Sequence, residues 1–180
     1  MRSRKLEAIV IKRTNLFDSD RIITVFSKQL GKVKIKAPGV RKISSRRGPH
    51  IELLNKSSLF IYEGRKLPVL TEAMTIHSFP KIKENLKKSG LAFYVCELIN
   101  EFCAEHQENR NVFYLLEKTL RRLEDEQNFK DIIYEFELNL LTLLGFWPPK
   151  KELPSESTQF VIEQILEKRL KTKKILPLLA

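Results

Sequence analysis

Residues 32–37 read Lys32-Val33-Lys34-Ile35-Lys36-Ala37, a strict alternation of basic and apolar side chains. Successive side chains on a β-strand point to opposite faces, so this stretch predicts a strand with one apolar face and one face of ammonium groups. Like charges that stand side by side repel each other, and a surface that serves only solubility normally mixes both signs. The stretch therefore predicts a half-buried strand whose outer face binds a polyanion, of which nucleic acid is the most common.

The same positive charge extends beyond this strand. Between Asp20 and Glu52 the chain carries nine basic side chains and no acidic one. Residues 1–80 contain 17 Lys and Arg against 6 Asp and Glu, whereas residues 81–180 contain 16 of each, so the first part carries the whole net charge of +11. This asymmetry predicts two domains with different tasks, residues 1–80 and residues 81–180.

The first domain has the pattern of a small β-barrel. Its apolar, β-branched and aromatic residues form five short runs that are separated by Gly, Pro, Asn and Asp, as in strands joined by turns. The predicted strands are Leu6–Arg13, Arg21–Ser27, Lys32–Ala37, about Leu53–Tyr62, and Pro68–His77. Five such strands favour the oligonucleotide-binding fold (OB-fold), with an SH3-like barrel as the alternative, because the number of strands does not fix their topology.

After Pro80 the apolar residues recur at the spacing of helices that bury one face. Three such repeats run through residues 91–102, 112–123 and 133–144, and a fourth helix is predicted from about Glu156 to Leu170. The predicted caps are Asn109, Asn128 and Ser155 at helix starts and Gly145 at the end of the third helix. The fold class is therefore α+β, an N-terminal barrel followed by an all-α domain.

Several short segments, taken in order, resemble one known family. They are Glu7-Ala8-Ile9-Val10-Ile11-Lys12, Leu16-Phe17-Asp18-Ser19-Asp20, Phe26-Ser27-Lys28-Gln29-Leu30-Gly31-Lys32, Gly39-Val40-Arg41-Lys42-Ile43-Ser44, Glu97-Leu98, Phe136-Glu137-Leu138 and Leu144-Gly145-Phe146-Trp147-Pro148. Their order and spacing resemble the bacterial recombination-mediator family RecO. The resemblance implies an N-terminal OB-fold, a helical C-terminal domain, and a protein of the cytoplasm that associates with the nucleoid.

The resemblance also implies a function and a set of partners. Members of the family bind single- and double-stranded DNA and anneal complementary strands. With RecR they help to load RecA onto DNA that is coated with single-strand-binding protein (SSB), and they contact the acidic C-terminal tail of SSB. RecA is thus an indirect partner, and the expected role is that of a mediator in DNA repair and recombination.

The sequence departs from the family pattern at one place. Many members carry a four-cysteine zinc site directly after the Leu-Gly-x-x-Pro segment, but here no cysteine follows Cys103. A four-ligand zinc site requires its ligands, so we expect a form without the zinc finger, with no metal and no cofactor. Residues 151–180 lie outside the resemblance.

The cysteines themselves, Cys96 and Cys103, are seven residues apart in a helical pattern. That spacing corresponds to about 10 Å along a helix axis, too far for one zinc ion or a disulfide. We expect both side chains in the core.

The predicted DNA-binding residues are basic side chains in or beside the positive region. The first set is Lys32, Lys34, Lys36, Arg41, Lys42, Arg46 and Arg47, and the second is Lys12, Arg13, Arg65 and Lys66. Contacts of this kind go to phosphates and make affinity steeply dependent on salt. The aromatic residues of this part are expected in the core rather than stacked on bases: Phe17, Phe26, Phe60, Tyr62 and Phe79.

In the helical domain, Lys87, Lys88, Arg121 and Arg122 are the predicted contacts for the carboxylates of the SSB tail. The three histidines are scattered and there is no Gly-rich phosphate loop, so we expect no enzymatic activity. No apolar run is long enough for a membrane span. Two other functions fit the residues alone: an RNA- or ribosome-associated barrel, and an adaptor whose basic face meets an acidic protein.

Overall fold

The computed structural model describes residues 2–64, 66–154 and 158–172. The chain forms two compact units. One consists of Met1–Ser78 together with Cys103–Arg110, and the other consists of Phe79–Phe102 together with Asn111–Ala180. The first unit contains the β-strands and the second contains the α-helices.

The first unit is a closed five-stranded barrel. Its strands are β1 (Arg2–Leu16), β2 (Asp20–Ser27), β3 (Gly31–Ala37), β4 (Lys56–Glu63) and β5 (Val69–His77). They follow the order β1-β2-β3-β5-β4, with β1 closing on β4. All pairs are antiparallel except β3 and β5, which are parallel. This topology confirms the predicted OB-fold rather than the SH3-like alternative.

The predicted strands are all present; β2, β3 and β5 differ from their predicted bounds by one residue, and β1 and β4 differ by more. β1 is longer at both ends than the predicted Leu6–Arg13. β4 begins at Lys56 rather than near Leu53, because Leu54 has a φ of 72°, a left-handed conformation that interrupts an extended strand. A 3₁₀-helix at Gly48–Ile51 precedes that turn.

The alternation in β3 produces the expected two faces. Val33, Ile35 and Ala37 lie in the buried barrel core, whereas Lys34 is exposed and Lys32 and Lys36 are partly exposed. The other core residues are apolar side chains from the remaining strands and the β3–β4 loop: Leu6, Ala8, Val10, Ile23, Val25, Val40, Ile51, Leu59, Ile61 and Leu70. Full burial of one such large aliphatic side chain contributes about 1.5–3 kcal/mol.

A β-bulge in β1 brings one more lysine to the basic face. The register between β1 and β2 moves from Val10↔Val25 to Lys12↔Thr24, so β1 contains one extra residue at this point. Thr24 in turn pairs with Lys34. The bulge therefore places Lys12 in one outward row with Lys34.

The core prediction for the aromatic residues is wrong for three of the five. Phe26 and Phe79 are fully buried, but Phe17 is 80% exposed, Phe60 39% and Tyr62 37%. Phe60 and Tyr62 alternate along β4 with a leucine and an isoleucine that fill the core, so the two rings lie on the outer face. Phe17 lies in the turn between β1 and β2.

A segment distant in sequence packs against β3. Residues 103–110 run past the start of this strand, where the His106 amide donates to the Lys32 carbonyl at 2.9 Å. Gly31 has a φ of +66°, and a Cβ at this position would lie 1.9 Å from the Gln107 carbonyl oxygen. Only glycine leaves room for this approach, so Gly31 allows the segment to pack on the barrel.

The helical unit contains the three helices that the apolar repeats predict. Its helices are α1 (Pro80–Lys83), α2 (Leu86–Phe102), α3 (Arg110–Asp125), α4 (Phe129–Leu143) and α5 (Thr158–Leu166). Asn109 lies directly before α3. Asn128 precedes α4 but makes no capping bond to the backbone; its amide contacts the Asp131 side chain instead. Gly145 has a φ of +80° after α4, as predicted for a helix end. Of the predicted fourth helix, Ser155 and Glu156 lie outside the described residues.

One polar pair is buried among the apolar residues of this unit. The Tyr94 hydroxyl donates to Glu137 Oε1 at 2.5 Å, and both side chains are buried. Burial is the largest cause that raises the pKa of both groups. Glu137 therefore carries a carboxylate into the core at the expense of stability at neutral pH.

Both cysteines are free and buried, as predicted. Burial raises the pKa of the Cys96 thiol to about 12 and that of Cys103 to about 11. Among the described residues, no cluster of three or more His, Cys, Asp or Glu side chains could hold a metal ion. No helix in that part of the chain has the length and apolar character to cross a membrane.

Candidate nucleic-acid interface

The outer face of β1 to β3 presents lysines, two of which are each paired with a different carboxylate. Lys36 Nζ lies 3.3 Å from Asp20 Oδ2, and Lys34 Nζ lies 2.5 Å from Glu105 Oε1. An ammonium group has three donors, so one carboxylate leaves each lysine able to bind a further acceptor. Lys12 is exposed in the same row as Lys34. This face can therefore bind phosphates, but Glu105 and Asp20 reduce its charge.

The β3–β4 loop is tied to the β1–β2 turn by three hydrogen bonds. Asp20 Oδ1 accepts from the Gly39 amide at 2.8 Å. The Arg41 amide donates to the Ser19 carbonyl at 3.0 Å, and Arg41 Nη1 donates to the Phe17 carbonyl at 2.9 Å. The Gly39 amide, assisted by Lys36, holds the pKa of Asp20 below its usual range. The two loops therefore form one structure at this end of the barrel.

Arg47 has a structural task within this loop. Its Nη1 donates to the Leu70 carbonyl at 2.6 Å and its Nη2 donates to the Pro38 carbonyl at 2.7 Å. The side chain thereby ties the loop to β5 and to its own beginning. The Arg47 guanidinium, although predicted to bind phosphate, is thus bound to the protein itself.

Arg13 is also engaged within the protein. Its Nη1 lies 2.7 Å from Glu52 Oε2, and Arg21 lies 3.8 Å from the other oxygen of the same carboxylate. Both arginines are half-buried. The structure thus separates cations that support the barrel end from cations that face solvent.

Lys42 and Arg46 are the most available charges of the loop. Both are exposed, and neither forms an ion pair with any residue in the described ranges. Lys66 is exposed in the β4–β5 turn, and Arg65 lies outside the described residues. A long exposed cation without a local carboxylate keeps its full attraction for a polyanion.

A cleft of about 500 Å³ opens beside this loop. Arg21, Arg41 and Lys42 contribute positive charge to its walls, and Glu52 contributes one carboxylate. The excess of cations suits an anionic group, and the cleft adjoins the exposed loop residues. Charge and shape therefore favour this end of the barrel over the Glu105-paired lysine face.

The four basic residues predicted to bind the SSB tail have different partners. Lys88 is buried and its Nζ donates to the Glu124 carbonyl at 2.6 Å. Lys87 is exposed, with its Nζ 5.7 Å from the centre of the Phe129 ring. Arg121 and Arg122 of α3 form ion pairs with glutamates. Lys88 therefore supports the packing of the unit rather than offering a charge at its surface.

The two arginines of α3 are each matched by glutamates. Arg121 lies 3.0 Å from Glu117 Oε1. Arg122 lies 2.9 Å from Glu126 Oε1 and 2.5 Å from Glu135 Oε2. A tail carboxylate would have to compete with these pairs. An exposed pair one helical turn apart, such as Arg121 with Glu117, is worth only about 0.3–0.5 kcal/mol.

Sequence reasoning did not assign a site role to Asp20, Glu105 or Ile43. Asp20 stands in a turn rich in polar residues, a position where Asp often bonds to neighbouring backbone amides, so a signal was present. Ile43 also lines the cleft beside the loop. It is an apolar residue within a basic stretch, which is visible in the sequence. Glu105 gives no local signal, because its partner Lys34 is distant along the chain.

Two family models match the chain in succession. Residues 1–79 match the model described as Recombination protein O N terminal, and residues 83–151 match the one described as Recombination protein O C terminal. The first range contains all five strands, and the second contains α2, α3 and α4. The matches end at residue 151, so the segment with α5 lies beyond them.

Curated proteins with the name DNA repair protein RecO are similar over the same range. That of Dehalococcoides mccartyi is 34% identical over 148 residues, which cover 82% of this chain and 58% of that protein. That of Roseiflexus sp. is 34% identical over 144 residues, with 80% and 50% covered. That of Listeria welshimeri is 28% identical over 144 residues, with 80% and 56% covered. The chain thus spans less than two thirds of the length of these relatives, but it matches both of their family models in order, and it belongs to the RecO family.

Proposed function

We propose that this chain is a DNA-binding mediator of recombination in DNA repair, with no enzymatic activity of its own. It binds single- and double-stranded DNA through the barrel and anneals complementary strands. The observation that carries this proposal is the exposed charge of Lys42 and Arg46, which form no ion pair with the residues that the structure describes, beside a cationic cleft in a chain of the RecO family. The name of its relatives, DNA repair protein RecO, supports the same role.

Charge neutralisation is the physical basis of the proposed annealing. Two complementary strands repel each other through their phosphates, and bound cations reduce that repulsion while they release counterions. A protein that contacts phosphates rather than base edges leaves the bases able to pair. Lys12, Lys34 and Lys36 extend the contact surface, with Lys34 and Lys36 sharing their charge with Glu105 and Asp20.

Protein partners form the second part of the proposal. With RecR, the chain helps to load RecA onto DNA that is coated with SSB, and its helical unit binds the acidic SSB tail. Arg121, Arg122 and Lys87 are the proposed tail contacts, since Arg121 and Lys87 are exposed and Arg122 is partly exposed. An ion pair at the surface exchanges one carboxylate for another at little cost. Family membership supports these partners.

A strand-annealing assay on SSB-coated complementary oligonucleotides tests the DNA part. The wild-type chain should accelerate annealing, and a Lys42→Glu, Arg46→Glu variant should lose most of that acceleration. A matched control changes the charge by the same amount on the helical unit, at the exposed Lys118 and Lys130. If the control variant lost as much activity as the loop variant, net charge rather than the loop would be responsible.

Titration with a labelled SSB-tail peptide tests the partner part. Reversal of Arg121 and Arg122 to Glu should weaken peptide binding and spare DNA binding, whereas reversal of Lys42 and Arg46 should do the opposite. Folding of each variant is checked by circular dichroism. Retention of RNA with no annealing of DNA would instead support an RNA-binding barrel.

A further inference from the structure

Two apolar side chains protrude from the basic end of the barrel. Phe17 is 80% exposed in the β1–β2 turn, and Ile43 is fully exposed in the β3–β4 loop. A single exposed apolar residue is ordinary on a protein surface. These two differ because they lie at linked loop tips of the basic end. Arg41 and Lys42 stand directly before Ile43, and the Arg41 guanidinium binds the carbonyl of Phe17, which Asp18 follows.

Phe17 is held in an uncommon backbone conformation. Its φ is 51°, in the left-handed region, which costs a residue other than glycine on the order of 1–2 kcal/mol. The exposed ring gains little burial within the chain to offset this cost. Uncommon conformations of this kind concentrate where a side chain is directed toward a ligand.

The two tips are linked through Arg41. Arg41 Nη1 donates to the Phe17 carbonyl at 2.9 Å, and the Arg41 amide donates to the neighbouring Ser19 carbonyl at 3.0 Å. Ile43 follows two residues after Arg41, so one short loop segment carries both the link and the second apolar tip. The Gly39 amide, which donates to Asp20 Oδ1 at 2.8 Å, adds a further link between the two loops. The tips are therefore presented together rather than as independent loops.

An unpaired nucleotide matches this arrangement in chemistry. It offers a flat apolar base face next to a charged phosphate, and stacking on an aromatic ring tolerates any base. Ile43 also lines the cationic cleft together with Arg21, Arg41 and Lys42. A base in a duplex is already stacked and does not present its face.

We infer that Phe17 and Ile43 form an apolar contact for unpaired bases of single-stranded DNA, with Arg41, Lys42 and Arg46 on the flanking phosphates. This inference rests on the proposed DNA-binding function and extends it. Charge alone serves single and double strands alike, whereas the apolar contact adds affinity for single strands only. The protein would thereby hold exposed bases before they pair and release them when the duplex forms.

The test compares a single-stranded oligonucleotide, an abasic strand of the same length and a duplex, each across a range of salt. The wild-type chain should bind the strand with bases at least about fivefold more tightly than the abasic one, the lower range for one stacked base. A Phe17→Ala, Ile43→Ala variant should lose this difference and retain its salt dependence and its duplex affinity. A control variant, Met74→Ala with Ile76→Ala, removes two exposed apolar side chains of β5 and should behave as wild type.

A second variant reports the contact directly. Phe17→Trp in a Trp147→Phe background places the only tryptophan of the chain at the turn. Its fluorescence should be quenched by the strand with bases and much less by the abasic strand. Equal wild-type affinity for both strands, or base-dependent affinity that survives in the alanine variant, would overturn the inference and leave the proposed function intact. Failure of the wild-type chain to bind either strand would overturn both.

Discussion

The basic loop of the barrel and helix α3 of the helical unit use the same residue types in opposite ways. On α3, Arg121 and Arg122 face glutamates one helical turn away, and Arg122 has a further partner in Glu135. On the loop, Lys42 and Arg46 have no carboxylate partner among the described residues. A cation that is matched within its own helix has little field left at a distance, whereas an unmatched one attracts a polyanion. The arrangement of charges, rather than their number, separates the two surfaces.

The largest expected effect concerns the contact between the barrel and residues 103–110. In a Gly31→Ala variant the new Cβ would lie 1.9 Å from the Gln107 carbonyl, at a φ of +66° that alanine disfavours. Separation of residues 103–110 from β3 should lower the free energy of unfolding by about 2–4 kcal/mol, measured in urea. Gly64→Ala is the matched control, because a Cβ there meets nothing within 4 Å. Equal stability of the two variants would show that the segment does not need this close approach.

The second effect tests the unmatched charges. If Lys42 and Arg46 each contact one phosphate, their reversal to Glu should reduce the salt slope for single strands by about 1.4 and the affinity at 0.1 M salt by about 25-fold. The measurement is fluorescence anisotropy with a labelled strand over a salt series. The Lys118→Glu, Lys130→Glu variant, with the same change in net charge, should keep the wild-type slope. An unaltered slope in the loop variant would remove these residues from the contact surface.

The third effect concerns the buried carboxyl of the helical unit. Because burial raises the pKa of Glu137 in the folded state, its contribution favours folding below the unfolded pKa and is lost as pH rises through the folded pKa. A Glu137→Gln variant keeps an oxygen that can accept from Tyr94 and has no charge to bury. It should be more stable than wild type at pH 7, by about 1 kcal/mol, with the difference shrinking toward pH 4. Thermal unfolding across this pH range, with Glu152→Gln as an exposed control, measures the effect; a constant difference would contradict it.

The smallest expected effect comes from removing the carboxylate that pairs with a lysine of the barrel. That lysine would then resemble the unmatched cations of the loop. Glu105 pairs with Lys34, and this hydrogen bond is the largest cause that lowers the pKa of Glu105. A Glu105→Gln variant should bind single-stranded DNA up to about fivefold more tightly at 0.1 M salt, the gain for one additional phosphate contact. Glu108→Gln, which removes a carboxylate that pairs with Arg110 instead, is the control. Equal gains from both variants would indicate a general charge effect.

The strands and the basic face could be predicted from local patterns, because alternation fixes which side chains share a face. The same rule could not decide which face of β4 points inward. Leu59 and Ile61 on one face and Phe60 and Tyr62 on the other are all apolar, so the alternation carries no contrast. Pairing with the neighbouring strands determines which face of β4 points into the core. That pairing cannot be predicted from the residues of β4 alone.

In the candidate site, too, some features could be predicted from local sequence and others depend on distant segments. Arg41, Lys42 and Arg46 supply the positive charge of the loop, and this charge was predicted from composition. Which cations remain available depends on partners far along the chain, such as Glu105 for Lys34 and the Leu70 carbonyl for Arg47. The burial of Lys88 has the same origin, since its partner Glu124 belongs to another helix. Contacts between distant segments therefore limit what the sequence alone can assign.

Because residues 103–110 pack against Gly31, the barrel is completed late during protein synthesis. The last strand ends at His77, but Gln107 is translated about 30 residues later, an interval of about 2–6 s at 5–20 residues per second. Until then the nascent barrel lacks Glu105, so its lysine face is more positive than that of the finished protein. On the ribosome, which is rich in RNA, the lysine face of the nascent chain therefore has one more cation without its acidic partner than the finished protein, until residues 103–110 bring Glu105 to Lys34.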